Sequence, residues 1–325
     1  MITLPAFMYN KVLIVFPMQG DRISFSNDNI IIKDKEDKIK FQYSCYKLFI
    51  IYIVGGYTIT SGLIEKAKKF GFSIVFLTTN FKISFSINFK TEGNFLLREK
   101  QYKCEIKNQI ANRIVYNKIL NEIECLKKLR DTTNNEGINI LKENLEKLNN
   151  FDLTINEIMG IEGICAKVYF NRIFKNIPWQ SREPRLKNDI PNLLLDIGYT
   201  ILFNYIEALL NIYGFDLYKA NLHQEFYKRK SLVCDIIEPF RVIIDYKVLK
   251  MYNLGQIKET DYVIINNKYN LNYQNSQAII LELLHEINEY KVCIFKYIQE
   301  YYRWFMKNKD IKEIPIAKVV KNDTY

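Results

Sequence analysis

The stretch LFIIYIVGGYTITSGLIEKAKKFGFSIVFL, residues 48–77, contains the change of pattern on which the fold depends. Its first seven residues are apolar and rich in β-branched side chains, which is typical of a strand. Thr60 or Ser61 can then cap a short helix that ends at Gly71, because glycine is the usual residue just beyond a helix C-terminus. A second apolar run, SIVFL, follows at 73–77. The stretch therefore predicts a strand, a helix and a strand.

The residues on either side of this stretch continue the strand pattern. Turn-forming residues separate short runs of β-branched and aromatic side chains, as expected for consecutive strands. These runs are VLIVF at 12–16, RISF at 22–25, NIIIK at 29–33, KIKFQY at 38–43 and KISFSI at 82–87. We therefore expect residues 1–90 to form a small N-terminal β-rich domain.

After about residue 94 the apolar positions become spaced three and four apart, with lysine and glutamate between them. This spacing is typical of amphipathic helices. Helices are predicted over residues 94–130, 136–149, 154–176, 189–213, 231–251 and 274–305. The expected fold is α+β with two domains, in which a larger all-α domain at residues 91–325 follows the β-rich one.

The composition is that of an ordered protein with excess positive charge. Of the 325 residues 48% are hydrophobic, and 46 lysines and arginines outnumber 36 acidic residues to give a net charge of +10. This charge favours phosphate-rich partners or an anionic membrane surface, although solubility alone is an alternative explanation. Scattered cysteines and the lack of a visible secretory signal predict a reduced, cytoplasmic protein.

The segment LHQEFYKRKSLVCDIIEPFR, residues 222–241, carries most of the candidate chemistry. Asp235 and Glu238 are three residues apart, so on a helix they project from the same face. Two carboxylates among apolar residues repel each other and take up protons unless a cation lies between them. Because His223 lies just upstream, the set of oxygen ligands and one imidazole favours Mg²⁺ or Mn²⁺.

Each of these residues also has a plainer interpretation. A single histidine among apolar neighbours is more often a hydrogen-bonded core residue or a surface residue than a ligand. The acid pair can be neutralised by Arg241 instead of a metal. Glu162, which lies between two glycines in MGIEGICAKVYF at 159–170, can complement a helix dipole. His285 is interpreted as part of a polar helix stripe.

The order of these segments resembles that of the CRISPR-associated integrase family, the Cas-one proteins that insert new spacers into CRISPR arrays. The matching blocks are GGYTITSGLIEKAKKFGFSIVFLT, GNFLLREKQY, MGIEGICAKVYF, IPNLLLDIGYTILFNYIEALL and LHQEFYKRKSLVCDIIEPFR. The resemblance implies that the helical domain is catalytic and that Glu162, His223 and Glu238 bind Mg²⁺ or Mn²⁺. Asp235 falls on the accompanying acidic position, as a further catalytic residue close to the metal. Many members have aspartate where this chain has Glu238, so the reach of that side chain differs.

The same resemblance implies that the protein joins prespacer 3′-hydroxyl ends to the CRISPR repeat by transesterification, with nuclease and disintegration activity. Its implied partners are double-stranded DNA, a second copy bound through the N-terminal domain, and the small second adaptation protein in a heterohexamer, with no membrane. The candidate DNA contacts are Arg182, Arg185, Lys187, Tyr199, Lys228, Arg229 and Lys230. The alternatives are a nuclease that only hydrolyses DNA and a basic scaffold without catalysis.

Overall fold

The computed structural model describes residues 3–18, 20–56, 59–88, 93–272 and 276–319. The predicted strands and the short helix of the N-terminal part are confirmed, with bounds that differ by a residue or two. The elements are α1 (Leu4–Met8), β1 (Lys11–Val15), β2 (Arg22–Ser26), β3 (Asn29–Lys33), β4 (Ile39–Ser44), β5 (Leu48–Val54), α2 (Ser61–Phe70), β6 (Ser73–Leu77) and β7 (Ile83–Ile87). The predicted domain boundary after residue 90 lies outside the described residues.

The N-terminal strands form two sheets. In one sheet β1, β5 and β6 are parallel and β7 is antiparallel, in the order β1-β5-β6-β7. Because parallel neighbours need a crossover connection, α2 runs between β5 and β6. It ends at Gly71, whose φ of +66° is left-handed, as its position in the sequence predicts. The second sheet is the antiparallel meander β2-β3-β4.

The C-terminal part is mostly helical, as predicted, but two features differ from the expectation. Three of the expected long helices are each two shorter ones, and a β-hairpin precedes the last pair, so the domain is not all-α. Asn266 and Asn267, with φ of +51° and +57°, form its two-residue turn. The elements are α3 (Phe95–Tyr102), α4 (Lys107–Lys128), α5 (Asn135–Lys147), α6 (Ile155–Ile173), α7 (Ile190–Tyr213), α8 (Ser231–Ile237), α9 (Arg241–Asn253), β8 (Tyr262–Ile265), β9 (Lys268–Leu271), α10 (Ser276–Glu289) and α11 (Lys291–Lys307).

The break between α8 and α9 lies at Pro239. Proline has no N–H to donate and its ring clashes with the preceding turn, so a regular helix cannot continue through it. Residues Glu238–Phe240 form a single 3₁₀ turn instead. Glu238 is the first residue of that turn and is buried, so the break sets the direction of this acid.

Helix α7 is the centre of the core that the sheet and the helices share. Its apolar window has the length and composition of a membrane span, but 83% of that window is buried inside the fold. From the sheet, the Tyr52 hydroxyl donates to the carbonyl of Ile201 at 3.0 Å. On the helical side, Gly198 allows α9 to approach closely, since a Cβ there would lie 2.4 Å from Ile244 Cγ2.

Candidate functional site

Two acids that are far apart in the sequence meet at one buried lysine. Glu162 comes from α6, Glu238 from the turn after α8, and Lys118 from α4. The Lys118 ammonium contacts the Glu162 carboxylate and lies 2.7 Å from Glu238 Oε2. The side chains of Lys118 and Glu238 are each only 7% exposed. A positive charge therefore occupies the point at which both carboxylates converge.

His223 lies beside this cluster in the loop between α7 and α8. Its Nδ1 is 2.9 Å from Asp235 Oδ1, and its Nε2 is 4.0 Å from Glu238 Oε1. When Nδ1 carries the proton it donates to Asp235, which leaves a lone pair on Nε2. Nε2 is the ring nitrogen nearer to Glu238, so the lone pair lies on that side of the imidazole. Glu162, Glu238 and His223 are thus brought together.

Asp235 holds the histidine loop and is fully buried. Its Oδ2 accepts the backbone N–H groups of Asn221 and Leu222 at 2.7 and 3.0 Å. Its Oδ1 accepts the backbone N–H of His223 at 2.9 Å, in addition to the imidazole contact. Both oxygens are therefore used for positioning. The catalytic assignment of Asp235 stays a prediction, and these contacts favour an indirect role through His223.

The charges around Glu238 keep it ionised. Burial alone would raise the pKa of this carboxyl, but Arg241 and Lys118 together lower it to about 2. Arg241 Nη1 lies 3.6 Å from Glu238 Oε1, so the ion pair with Arg241 that the sequence left open is present. Glu238 is consequently an anion at any pH near neutrality.

A further buried acid, Glu122, lies one helical turn beyond Lys118 on α4. It is 2% exposed, and within the described part of the chain its Oε2 has no hydrogen-bond partner. Burial outweighs the attraction of Lys118 and raises the pKa of Glu122 to about 8. Burying a carboxyl of this kind destabilises the folded protein when the group is ionised. The size of this destabilisation therefore depends on pH.

Glu122→Gln is expected to remove part of the loss of stability at high pH. The folded pKa of about 8 lies above the ordinary value of 4.5. The contribution of Glu122 to the free energy of unfolding is therefore fully present at pH values below its pKa in the unfolded chain. It is lost as the pH rises through its pKa in the folded protein. Urea unfolding at about pH 5.5 and about pH 8.5 should show a smaller difference in free energy for the variant than for the wild type. Equal differences in the two proteins would mean that Glu122 does not titrate in this window.

Tyr199, one of the predicted DNA contacts, lies in a buried layer behind the acids. Its hydroxyl donates to the Asp245 carboxylate. Its ring has the Arg241 guanidinium 4.4 Å and the Arg182 guanidinium 5.5 Å from its centroid. Burial raises the pKa of Asp245 to about 6 although the tyrosine and Arg241 oppose this. The role of Tyr199 as a DNA contact stays a prediction, and these contacts favour an indirect one, in which the ring holds Arg241 beside Glu238.

All the predicted DNA contacts line one open cleft of about 840 Å³. His223 and Glu238 lie in its wall, so the cleft leads to the acid cluster. Its cationic lining consists of Lys82, Arg182, Arg185, Lys187, Lys228, Arg229, Lys230 and Arg241. The cleft combines positive charge with the candidate catalytic groups.

Two of the predicted DNA contacts already have acidic partners. Lys230 Nζ is 2.6 Å from Oε1 of Glu207, whose side chain is 3% exposed, and Arg182 is 2.6 Å from Asp196 Oδ1. Their roles as DNA contacts stay predictions, while their contacts indicate that they support the cleft. By contrast, the exposed cations of the lining are Lys82, Arg185, Lys228 and Arg229.

Lys118, Glu122 and Lys82 were not predicted from the sequence. Lys118 and Glu122 lie on an amphipathic helix in which lysine and glutamate are frequent, so no spacing distinguishes them from surface residues. Lys82 is in the turn before β7, in the N-terminal part of the chain. Burial, and next the charge of Lys82, lower the pKa of Lys187. Both side chains line the cleft, so the two parts of the chain meet there.

The acid cluster suits a hard divalent cation. Within the described ranges no three His, Cys, Asp or Glu side chains form a ready-made cation cage, and Lys118 lies between the carboxylates. Two carboxylates and one imidazole nitrogen are nevertheless ligands that Mg²⁺ or Mn²⁺ accepts. An ammonium at the point of convergence supplies the positive charge that an ion would bring. The residues present therefore fit such a metal, provided that Lys118 moves.

Known proteins are similar to this chain over most of its length. The family model for CRISPR associated protein Cas1 matches residues 14–284. The CRISPR-associated endonuclease Cas1 1 of Thermodesulfovibrio yellowstonii is 28% identical over 226 residues, which cover 66% of this chain and 71% of the relative. The CRISPR-associated protein Cas1 3 of Methanobrevibacter ruminantium is 26% identical over 265 residues, with coverages of 75% and 79%.

Solved structures share the fold. A Cas1 protein from Thermotoga maritima has a TM-score of 0.78 at 19% identity, covering 91% of this chain and 97% of its own. A casposase bound to an integration product has a TM-score of 0.78 at 21% identity, with coverages of 97% and 96%. A chain of a Cas6-RT-Cas1–Cas2 complex also scores 0.78, and the present chain spans 36% of it. Because the family model matches most of its length, the chain belongs to the CRISPR-associated Cas1 family.

Proposed function

We propose that this protein is a metal-dependent DNA integrase of CRISPR adaptation, which joins prespacer 3′-hydroxyl ends to the CRISPR repeat. The observation that supports this most directly is the convergence of Glu162 and Glu238 on one positive charge beside His223. The cationic cleft that opens onto these side chains supplies a path for DNA. The curated relatives that are called endonucleases support phosphodiester chemistry at such a site.

Glu162, His223 and Glu238 would hold Mg²⁺ or Mn²⁺. The ion would supply a Lewis acid that activates the attacking hydroxyl and stabilises the extra negative charge on the phosphate. Asp235 fixes the imidazole so that Nε2 keeps its lone pair. Arg241 keeps the Glu238 carboxylate ionised. Lys118 has to release both carboxylates before they can act as ligands.

The proposed step exchanges one phosphodiester for another. The 3′-oxygen of the prespacer end attacks a phosphorus atom of the repeat strand and loses its proton, and a new P–O bond forms. The bond from that phosphorus to the 3′-oxygen of the repeat strand breaks, and this oxygen takes up a proton. No nucleotide cofactor is needed, because the number of phosphodiester bonds does not change.

DNA would be held by the exposed cations of the cleft. Arg185, Lys228 and Arg229 are exposed and adjoin the acid cluster, and Lys82 extends the track onto the N-terminal part. Contacts of this kind neutralise phosphates and position the duplex without reading its sequence.

Lys228→Ala and Arg229→Ala should weaken duplex binding, whereas Lys230→Ala should mainly destabilise the fold. Each of the first two changes is expected to lower the slope of log affinity against log salt by about 1. Lys230→Ala leaves the buried Glu207 carboxylate without its lysine, which costs about 1–3 kcal/mol. Fluorescence anisotropy over a salt series and urea unfolding measure the two effects. If Lys230→Ala instead had normal stability and a lower slope of log affinity against log salt, Lys230 would be a DNA contact and not a support of the fold.

The partners in this proposal are DNA, a second copy of the chain and the small second adaptation protein. A neighbour in the fold comparison is part of a Cas6-RT-Cas1–Cas2 complex, which supports a Cas2 partner, and another is bound to an integration product. For the dimer, Ile39 and Phe41 on β4 expose apolar side chains on the N-terminal part. A cytoplasmic location, where CRISPR DNA lies, follows from the same function.

Prespacers that differ only at their ends test the proposal. The purified protein, its small partner and Mn²⁺ are incubated with a supercoiled repeat plasmid and prespacers that end in a 3′-hydroxyl or a 3′-dideoxy nucleotide. Joining with the hydroxyl ends alone supports integration. Nicking with both kinds of end would indicate a hydrolytic nuclease, and no reaction with either would indicate a DNA scaffold.

A further inference from the structure

Two adjacent aromatic residues, Phe226 and Tyr227, project from a tight turn into solvent. Phe226 is 73% exposed and Tyr227 is 81% exposed. The N–H of Arg229 donates to the carbonyl of Phe226 at 3.0 Å, and Lys228 between them is left-handed with φ of +62°. Among the large hydrophobic side chains of the described residues these two have the highest fractional exposure, and exposed apolar patches can mark binding sites. We call residues 226–229 the aromatic turn.

The base of the aromatic turn is held in place from both sides. On its N-terminal side, Glu225 Oε1 is 3.0 Å from Lys219 Nζ. On its C-terminal side, the Ser231 hydroxyl donates to the carbonyl of Gln224 at 3.2 Å. A platform fixed in this way loses little conformational entropy when a ligand binds to it.

The aromatic turn adjoins the cationic cleft. Lys228 and Arg229, the second half of the turn, line that cleft. The Lys228 ammonium lies 5.1 Å from the centroid of the Tyr227 ring. The two exposed rings are therefore next to positive charges that face the candidate catalytic groups. A ligand that suits this surface has flat apolar faces and a negatively charged backbone.

We propose that Phe226 and Tyr227 form a stacking platform for unpaired bases of the single DNA strand whose end enters the cleft. The proposal rests on the proposed integrase function. The two rings stand beside cations that line the cleft leading to His223 and Glu238. Bases inside an intact duplex are stacked on one another, so only unpaired bases can offer their faces to these rings. An unpaired end has lost its stacking partners, and aromatic side chains beside a cationic track replace them for any base sequence.

Binding of DNA ends without catalysis tests the platform. The probes are a duplex with a short single-stranded 3′ end that carries 2-aminopurine and a blunt duplex of the same length, both with 3′-dideoxy ends and in EDTA. Wild-type protein should quench the 2-aminopurine. The double variant Phe226→Ala/Tyr227→Ala should lose the quenching and about tenfold or more of its affinity for the unpaired end. Its affinity for the blunt duplex should change less than about twofold, because the cations are untouched.

Two further variants separate stacking from other effects. Phe226→Leu/Tyr227→Leu keeps apolar bulk but has no rings, so it should bind unpaired ends as poorly as the alanine variant does. Phe95→Ala removes a ring that is 71% exposed but lies outside the cleft lining, and it should bind as the wild type does. All variants change exposed side chains, so their unfolding curves should match that of the wild type.

The outcomes that overturn the platform are specific. Normal affinity and quenching in the double alanine variant would exclude stacking at these residues. Full binding of the unpaired end by the leucine pair would mean that apolar bulk, and not ring stacking, holds the bases. Because these measurements need neither metal nor joining, they are independent of the integrase test. Stacking by a wild-type protein that never joins DNA would leave the platform intact and refute the integrase.

Discussion

His223→Ala is expected to reduce strand joining by at least about a thousandfold, while duplex binding changes by no more than a few fold. The imidazole Nε2 lies beside Glu238 as a proposed metal ligand, and no other described histidine lies in the cleft wall to replace it. The variant should also bind Mn²⁺ more weakly, as measured by electron paramagnetic resonance on the protein without DNA. Glu162→Ala and Glu238→Ala should lose joining to a similar extent, because each removes a proposed carboxylate ligand.

The control for this prediction is His285→Ala. His285 is exposed on α10, which agrees with its interpretation as part of a polar helix stripe, and it should be replaceable without effect on joining or Mn²⁺ binding. Asp235→Asn provides an intermediate case, since it removes the carboxylate that orients the imidazole. Joining should then fall about 10–100-fold. Wild-type joining by His223→Ala would exclude the histidine from the catalytic set.

Much of the fold could be predicted because the decisive patterns are local. The strands of the N-terminal part are short apolar runs bounded by turn residues, and Gly71 and Pro239 end helices by backbone geometry alone. The hairpin β8-β9 was not predicted, although its Asn266-Asn267 turn is a recognisable signal. It lies between two strongly helical segments and its outer side chains are exposed, so the apolar alternation is weak.

The candidate site could be predicted only as a set of residues. Glu162, His223 and Glu238 stand in blocks that resemble one family, but the resemblance does not say which other side chains approach them. Lys118 reaches both acids because α4 packs beside α6 and beside the turn after α8. Such contacts join residues more than forty positions apart in the chain, and a charge on a helix gives no local sign of burial.

Lys118→Met is expected to destabilise the metal-free protein by about 3–5 kcal/mol, because it leaves two carboxylates without their shared positive charge. Lys118 and Glu238 are both nearly inaccessible to water, so solvent cannot replace the lost ion pair. Burial would lower the pKa of Lys118, but Glu238 and Glu162 outweigh burial and raise it. The lysine therefore stays charged in the wild type. Urea unfolding in EDTA measures the loss.

Mn²⁺ should restore most of this stability, since the ion can take the position that Lys118 leaves. In the wild type the ion has to displace the ammonium, so Lys118→Met should bind Mn²⁺ at least about tenfold more tightly and gain more stability from it. Lys247→Met is the matched control. Lys247 is equally buried, but its partners Glu282 and Glu286 are 43% and 16% exposed, so water can hydrate them more readily than Glu238 once the lysine is gone. That variant should lose less stability and show no rescue by Mn²⁺. Equal stabilisation of wild type and Lys118→Met by Mn²⁺ would mean that the lysine and the ion do not share one position.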